Sequence, residues 1–198
     1  MRLLLSATSP YARKVHAVLL EKGLPFELGY TAPSDPAVSR VNPLGKIPAL
    51  LRDDGTALYD SAVIVQYLEL LAPTPPLLPA DAAARIEVLR WEALCDGISD
   101  ATVSGMLERR RSGERQDPGW IAHQDGKVRR GLAVMEADLG DREWAVGVFS
   151  LADIAIAATF GYVRLRSPSL LDPHPALADR YSRLCERPSI GKTAPPEG

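Results

Sequence analysis

Long apolar runs are missing from this 198-residue chain. No stretch approaches the ~18 apolar residues of a membrane span. Leu3-Leu4-Leu5 near the N-terminus falls short of the ~7–15 residues of a signal-peptide core, so the chain reads as cytoplasmic. Cysteine is scarce: Cys95 and Cys185 stand far apart, with no C-x-x-C pair. That excludes a disulfide scaffold and reads as small buried residues in a reducing compartment. Three histidines (His16, His123, His174) show no ligand spacing, so no metal site is expected. Charge of one sign is also lacking. Twenty-three Lys+Arg oppose 25 Asp+Glu for a net charge of -2, which supplies no field toward nucleic acid or an anionic membrane. Neither G-x-G-x-x-G nor G-x-S-x-G occurs. Gly191-Lys192-Thr193 imitates a phosphate loop, but Glu186 stands where its first glycine belongs.

Proline, in contrast, is abundant: 17 residues, about 9% against a usual ~5%. Ten lie in residues 1–79, one (Pro118) in 80–167 and six in 168–198. Pro73, Pro75, Pro76 and Pro79 fall within seven residues. Such a run fits neither helix interior nor central strand and reads as a stiff linker.

The hydrophobic pattern differs on its two sides. Before it, strands are expected over 2–6, 26–30 and 47–51, with a hairpin through Asp53-Asp54-Gly55 to 56–59. Helices are expected from Pro10 to about Lys22, stopped by Gly23, and over Ser61–Leu71, capped by Asp60 or Ser61. Residues 36–41 fit a short helix or irregular chain. After it the composition is helical: 82–111, 119–139, 150–164 and 176–185. In the first of these, Ile86, Leu89, Ala93, Gly97 and Ala101 form a stripe of small residues suited to close helix contact. Ser150-Leu151-Ala152-Asp153 is a capping box opening a helix apolar almost all round. The fold class expected is a small α/β domain over 1–72, a linker over 73–80, and an all-helical domain over 81–198.

Three segments of the first domain carry chemistry. Ser9-Pro10-Tyr11-Ala12-Arg13 joins the first strand to the first helix, Asn42-Pro43-Leu44-Gly45-Lys46-Ile47-Pro48 enters the third strand, and Tyr59-Asp60-Ser61 enters the next helix. Taken singly they are helix caps and turns. Together, with the proline-rich linker and the later Gly147-Val148-Phe149-Ser150-Leu151-Ala152-Asp153 box, they resemble the glutathione transferase family over the whole chain.

That resemblance implies a thioredoxin-like first domain, glutathione as co-substrate, no metal, and a homodimer. It implies Ser9 as the catalytic hydroxyl, with Thr8 and Tyr11 as lesser candidates. It implies a cis Pro48 that turns the Ile47 backbone toward the cysteinyl segment of glutathione. Lys46 would meet the glycyl carboxylate, Asp60 the γ-glutamyl ammonium and Ser61 its carboxylate. Serine at position 9, where a cysteine would favour mixed-disulfide chemistry, favours activation of a bound thiol for attack on a small electrophile. The electrophile site is expected between the domains, lined by the helix over 82–111, with Met106, Arg109 and Arg110 as candidates. Two alternatives stand beside conjugation: a glutathione-dependent disulfide or peroxide reductase, and a non-catalytic binding or dimerisation module.

Overall fold

A computed structural model describes residues 1–32 and 34–196; Glu197 and Gly198, the end of the expected helical domain, lie outside the described residues. The first unit runs β1 (Arg2–Leu5), α1 (Pro10–Glu21), β2 (Glu27–Tyr30), α2 (Pro36–Val41), β3 (Ala49–Leu51), β4 (Ala57–Leu58) and α3 (Ser61–Leu71). The strands form one mixed sheet of order β2-β1-β3-β4, with β1 parallel to β2 and antiparallel to β3. The third strand is shorter than its apolar run: ladder pairing starts at Ala49, and Ile47-Pro48 lies outside it.

Strand alternation explains the apolar run at the N-terminus. Leu3 and Leu5 join Leu50 in the main core beneath α1 and α3, whereas Leu4 pairs with Ala49 on the other face, against Val38 of α2 and Ile47. A strand covered on both faces must be apolar at every position, as Leu3-Leu4-Leu5 is.

The second unit is helical: α4 (Ala82–Arg109), α5 (Pro118–Leu139), α6 (Leu151–Arg166), α7 (Pro175–Cys185) and a short α8 (Pro188–Gly191) absent from the sequence expectation. Thirteen consecutive residues of α6, Leu151–Val163, are buried. The capping box at its start forms: Asp153 accepts from the Ser150 N–H at 3.0 Å and also from the Ala145 N–H at 3.0 Å. Between the units, Leu77 and Leu78 are buried, and the Leu77 carbonyl accepts the Leu151 N–H at 3.0 Å.

The expected stripe on α4 is corrected. Ile86, Ala93 and Gly97 are exposed, and Leu89 is only half-buried; Ala101 alone is buried. The buried line is Val88, Trp91, Glu92, Cys95, Ile98, Ser99, Thr102 and Gly105. Polar members hid it from a hydrophobic reading. Glu92 is paired by Lys14 of α1, the Ser99 and Thr159 hydroxyls lie 3.0 Å apart, and Thr102 donates to the Ile98 carbonyl. The close helix approach does need a glycine, but it is Gly131 on α5: a Cβ there would meet the Ile98 side chain at 2.5 Å.

Helix α1 links the two units. Lys14 donates to Glu92 at 2.8 Å and to Asp96 at 2.7 Å on α4. Arg13 donates to the Ala157 carbonyl of α6 at 2.7 Å and the Ile190 carbonyl of α8 at 3.2 Å. Arg187 makes a two-pronged pair with Glu21 at 2.6 Å for each bond.

Candidate functional site

Sheet register brings the three segments to one end. Leu4 is opposite Ala49, so the chain after Leu5 and the chain before Ala49 leave the sheet together. Leu50 is opposite Leu58, so Tyr59-Asp60-Ser61 leaves at that same end. Ser9, Lys46-Ile47-Pro48 and Asp60-Ser61 therefore converge where the N-termini of α1 and α3 add their positive ends.

Ser9 is the N-cap of α1, with extended backbone and Pro10 as the first helical residue. Its Oγ accepts the Ala12 N–H at 3.2 Å. A hydroxyl that caps through a lone pair keeps its own hydrogen for another acceptor. Tyr11 is not free in that way. Its hydroxyl donates to Asp100 of α4, and burial, reinforced by the Asp100 charge, pushes the phenol above its ordinary range.

The Ile47–Pro48 peptide is cis, as is Tyr59–Asp60. Asn42, absent from the expected site, holds the loop between α2 and β3. It donates to the Lys46 carbonyl at 2.8 Å and accepts the Leu44 N–H at 3.1 Å, with Gly45 in the left-handed region at φ 61°. The N-P-x-G spacing was the signal available for that role. Among the described residues nothing bonds the Ile47 N–H or C=O. That leaves a strand-like donor and acceptor next to Ser9's end of the sheet. Lys46 is exposed. Asp60 caps α3, accepting the Ala62 N–H at 3.1 Å, and is exposed to solvent. Ser61 is 3% exposed and opens α3. These groups can hold an extended peptide with a free α-amino acid end.

On the side of the second unit, the crevice beside Ser9 is lined by Ala7, Thr8, Pro10, Arg13, Ala158, Tyr162 and Pro195. Its wall is α6 and the C-terminal segment, and α4 reaches the same end of α1 through Asp100, which accepts from Tyr11. Of the α4 candidates, Arg109 is engaged by Asp125 at 2.5 Å and Met106 is half-buried. Arg110 is exposed, and its charge favours ionisation of Tyr162. A wider surface hollow, lined by Met1, Arg2, Phe26, Glu27 and Arg52 among others, lies at the opposite end of the sheet.

The glutathione S-transferase N-terminal domain model matches residues 8–71, and the glutathione S-transferase C-terminal domain model matches residues 118–184. The uncharacterized GST-like protein YibF of Escherichia coli (strain K12) is 37% identical over 201 residues, covering 100% of both chains. A glutathione S-transferase from Methylobacillus flagellatus KT, solved with glutathione bound, is 46% identical with a TM-score of 0.94, over 98% of this chain and 99% of that one. A glutathione transferase family member from Pseudomonas fluorescens Pf-5, solved with S-(propanoic acid)-glutathione, is 39% identical with a TM-score of 0.86, over 100% of each chain. The chain belongs to the glutathione S-transferase family.

Proposed function

We propose that the protein binds glutathione and activates it as thiolate for attack on an electrophilic small molecule. One observation carries the reading: the Ser9 hydroxyl caps α1 as an acceptor, so its O–H is available at the positive end of that helix. A thiol of pKa near 8.5 is only ~3% ionised at pH 7. A hydrogen bond to the charged sulfur contributes about 1.5–3 kcal/mol, and the helix end about 0.3–1 kcal/mol. At ~1.36 kcal/mol per unit, these lower the pKa by about 1.3–3 units, enough to raise thiolate from a trace to roughly 40% or more of the bound form at pH 7.

In this reading the Ile47 backbone pairs with the cysteinyl residue. Asp60 takes the γ-glutamyl ammonium, Ser61 its carboxylate, and Lys46 the glycyl carboxylate. The thiolate sulfur then forms a C–S bond with the electrophilic carbon, and the leaving group departs with its electron pair. Where the electrophile is an activated alkene, the adjacent carbon takes a proton instead. Glutathione in one relative and a carbon-linked adduct of its sulfur in another support this reading. The two cysteines, on α4 and at the end of α7, put no protein thiol at the start of α1 for mixed-disulfide exchange.

Ser9→Ala tests it. The pKa of enzyme-bound glutathione, read from thiolate absorbance, should rise by about 1–2 units, with a matching fall in kcat. Unchanged values would remove Ser9 from the mechanism. Failure of glutathione to bind in calorimetry would turn the reading toward a non-catalytic module.

We also propose a homodimer. Val63, Leu70 and Leu71 of α3 and Ile86 of α4 are exposed apolar residues, Leu70 at 82%, and a second copy would cover them.

A further inference from the structure

Asn42 ends α2 and is 2% exposed, beside the exposed Pro43 and Leu44. A buried amide is retained where its polar groups are matched, and here both the backbone and the side chain are. The Asn42 N–H donates to the Val38 carbonyl at 2.8 Å, and the Asn42 carbonyl accepts the Gly45 N–H at 2.8 Å. Its Oδ1 accepts the Leu44 N–H, and its Nδ2 donates to the Lys46 carbonyl. One end of this side chain must therefore accept while the other donates. Among side chains of this length, asparagine does both at two separate atoms; aspartate only accepts when ionised.

The bond to Lys46 acts beyond the loop. The Lys46–Ile47 peptide is trans and planar, so the Lys46 C=O and the Ile47 N–H point to opposite sides of the chain. Holding that carbonyl on the buried Asn42 amide turns the Ile47 N–H the other way. The Ile47 side chain fixes a second direction: it is buried and packs with Leu4, Val38 and Ala49. Ile47 is thus clamped by its side chain and by the peptide before it, yet its own N–H has no partner among the described residues. An unpaired backbone N–H calls for water or a ligand, and the direction of this one is set before either arrives. Such preorganisation removes part of the ordering that binding would otherwise require.

We infer that Asn42 is a positioning residue for glutathione: through the Lys46 carbonyl it aims the Ile47 N–H at the cysteinyl carbonyl of the bound tripeptide. This deepens the glutathione reading and rests on it. Asn42 acts through one peptide plane and not on the sulfur, whose partner Ser9 is on a different element. Its loss therefore weakens recognition of the cysteinyl backbone and leaves thiol activation in place.

Calorimetry on the full chain tests this with two probes: glutathione, and its analogue with an ester in place of the Cys–Gly amide, which makes the cysteinyl carbonyl a weaker acceptor. Wild type should bind glutathione about 5–10-fold tighter than the ester. Asn42→Ala should bring that ratio below about 2. A residue that merely steadies the loop would weaken both probes alike and leave the ratio standing. Asn42→Asp, measured at pH 8 to keep it ionised, covers the case in which the alanine variant does not fold. It still accepts the Leu44 N–H but has no hydrogen for the Lys46 carbonyl, and its added charge acts on both probes alike, so it too should collapse the ratio. In Asn42→Ala the pKa of enzyme-bound glutathione should move by less than about 0.3 units. A larger shift, a ratio that survives substitution, or equal binding of the two probes by wild type would overturn the inference while leaving glutathione activation intact. No binding of glutathione by wild type would overturn both.

Discussion

Lys14 on α1 donates to Glu92 on α4 at 2.8 Å, with side-chain exposures of 1% and 5%. Burial alone would lower the Lys14 pKa, but Asp96 and Glu92 outweigh it and hold the ammonium above its ordinary 10.5. Removing the cation leaves a buried carboxylate uncompensated. Lys14→Met should destabilise the fold by about 3–5 kcal/mol in urea unfolding, and adding Glu92→Leu should recover part of the loss. A single-variant cost below about 1 kcal/mol would show that water relieves Glu92.

The same pair sets an alkaline limit. The folded pKa of Lys14 is raised, so its contribution is complete below the unfolded value and is lost as pH rises through the folded one. The stability difference between wild type and Lys14→Met should be constant through neutrality and narrow only above about pH 10.

Glu21 behaves in the opposite sense. Burial pushes its carboxyl up, but hydrogen bonds from Arg187 and Ser189, with the Arg187 charge, bring it below its ordinary 4.5. Its contribution is present above the unfolded value and lost as pH falls through the folded one. Arg187→Gln should cost about 1–3 kcal/mol at pH 7, and the gap should close on acidification below about pH 4.5. A gap independent of pH would assign the loss to Arg187 stacking on Phe149, whose ring centroid lies 3.7 Å away.

Ser9 has two separable duties. Aspartate caps helices as well as serine but offers no hydroxyl hydrogen and places a negative charge beside the thiol. Ser9→Asp should unfold within about 0.5 kcal/mol of wild type yet raise the pKa of bound glutathione more than Ser9→Ala does. Wild-type activity in Ser9→Asp, which keeps the cap but lacks the O–H, would contradict the hydrogen-bond role.

Gly161 is in the middle of α6, where alanine has the better helix propensity by about 1 kcal/mol. A Cβ there would overlap Arg13 Nη1 and stand 2.9 Å from the Tyr181 hydroxyl. Arg13 is tied to two carbonyls and has little room to yield. Gly161→Ala should therefore lower stability by about 1–3 kcal/mol, measured as melting temperature. A rise would mean that Arg13 swings aside.

Sedimentation at micromolar concentration should give about twice the 21.4 kDa chain mass, and Leu70→Glu should shift it toward monomer. A monomeric wild type would refute the dimer.

Local sequence determined the elements: Ser9-Pro10 and Ser150 through Asp153 are caps whose hydrogen bonds close within three residues, so the start of each helix is legible. Pattern also revealed the family, because three short segments at the right spacing are a chain-level property. The buried face of α4 was not legible. Glu92, Ser99 and Thr102 are tolerable inside only because of partners, two of them 60 or more residues away. The same holds for the α6 wall of the crevice, which exists only once α6 runs past the start of α1. Caps and strand alternation follow from neighbours along the chain; the pairing of buried charges follows from which helices meet.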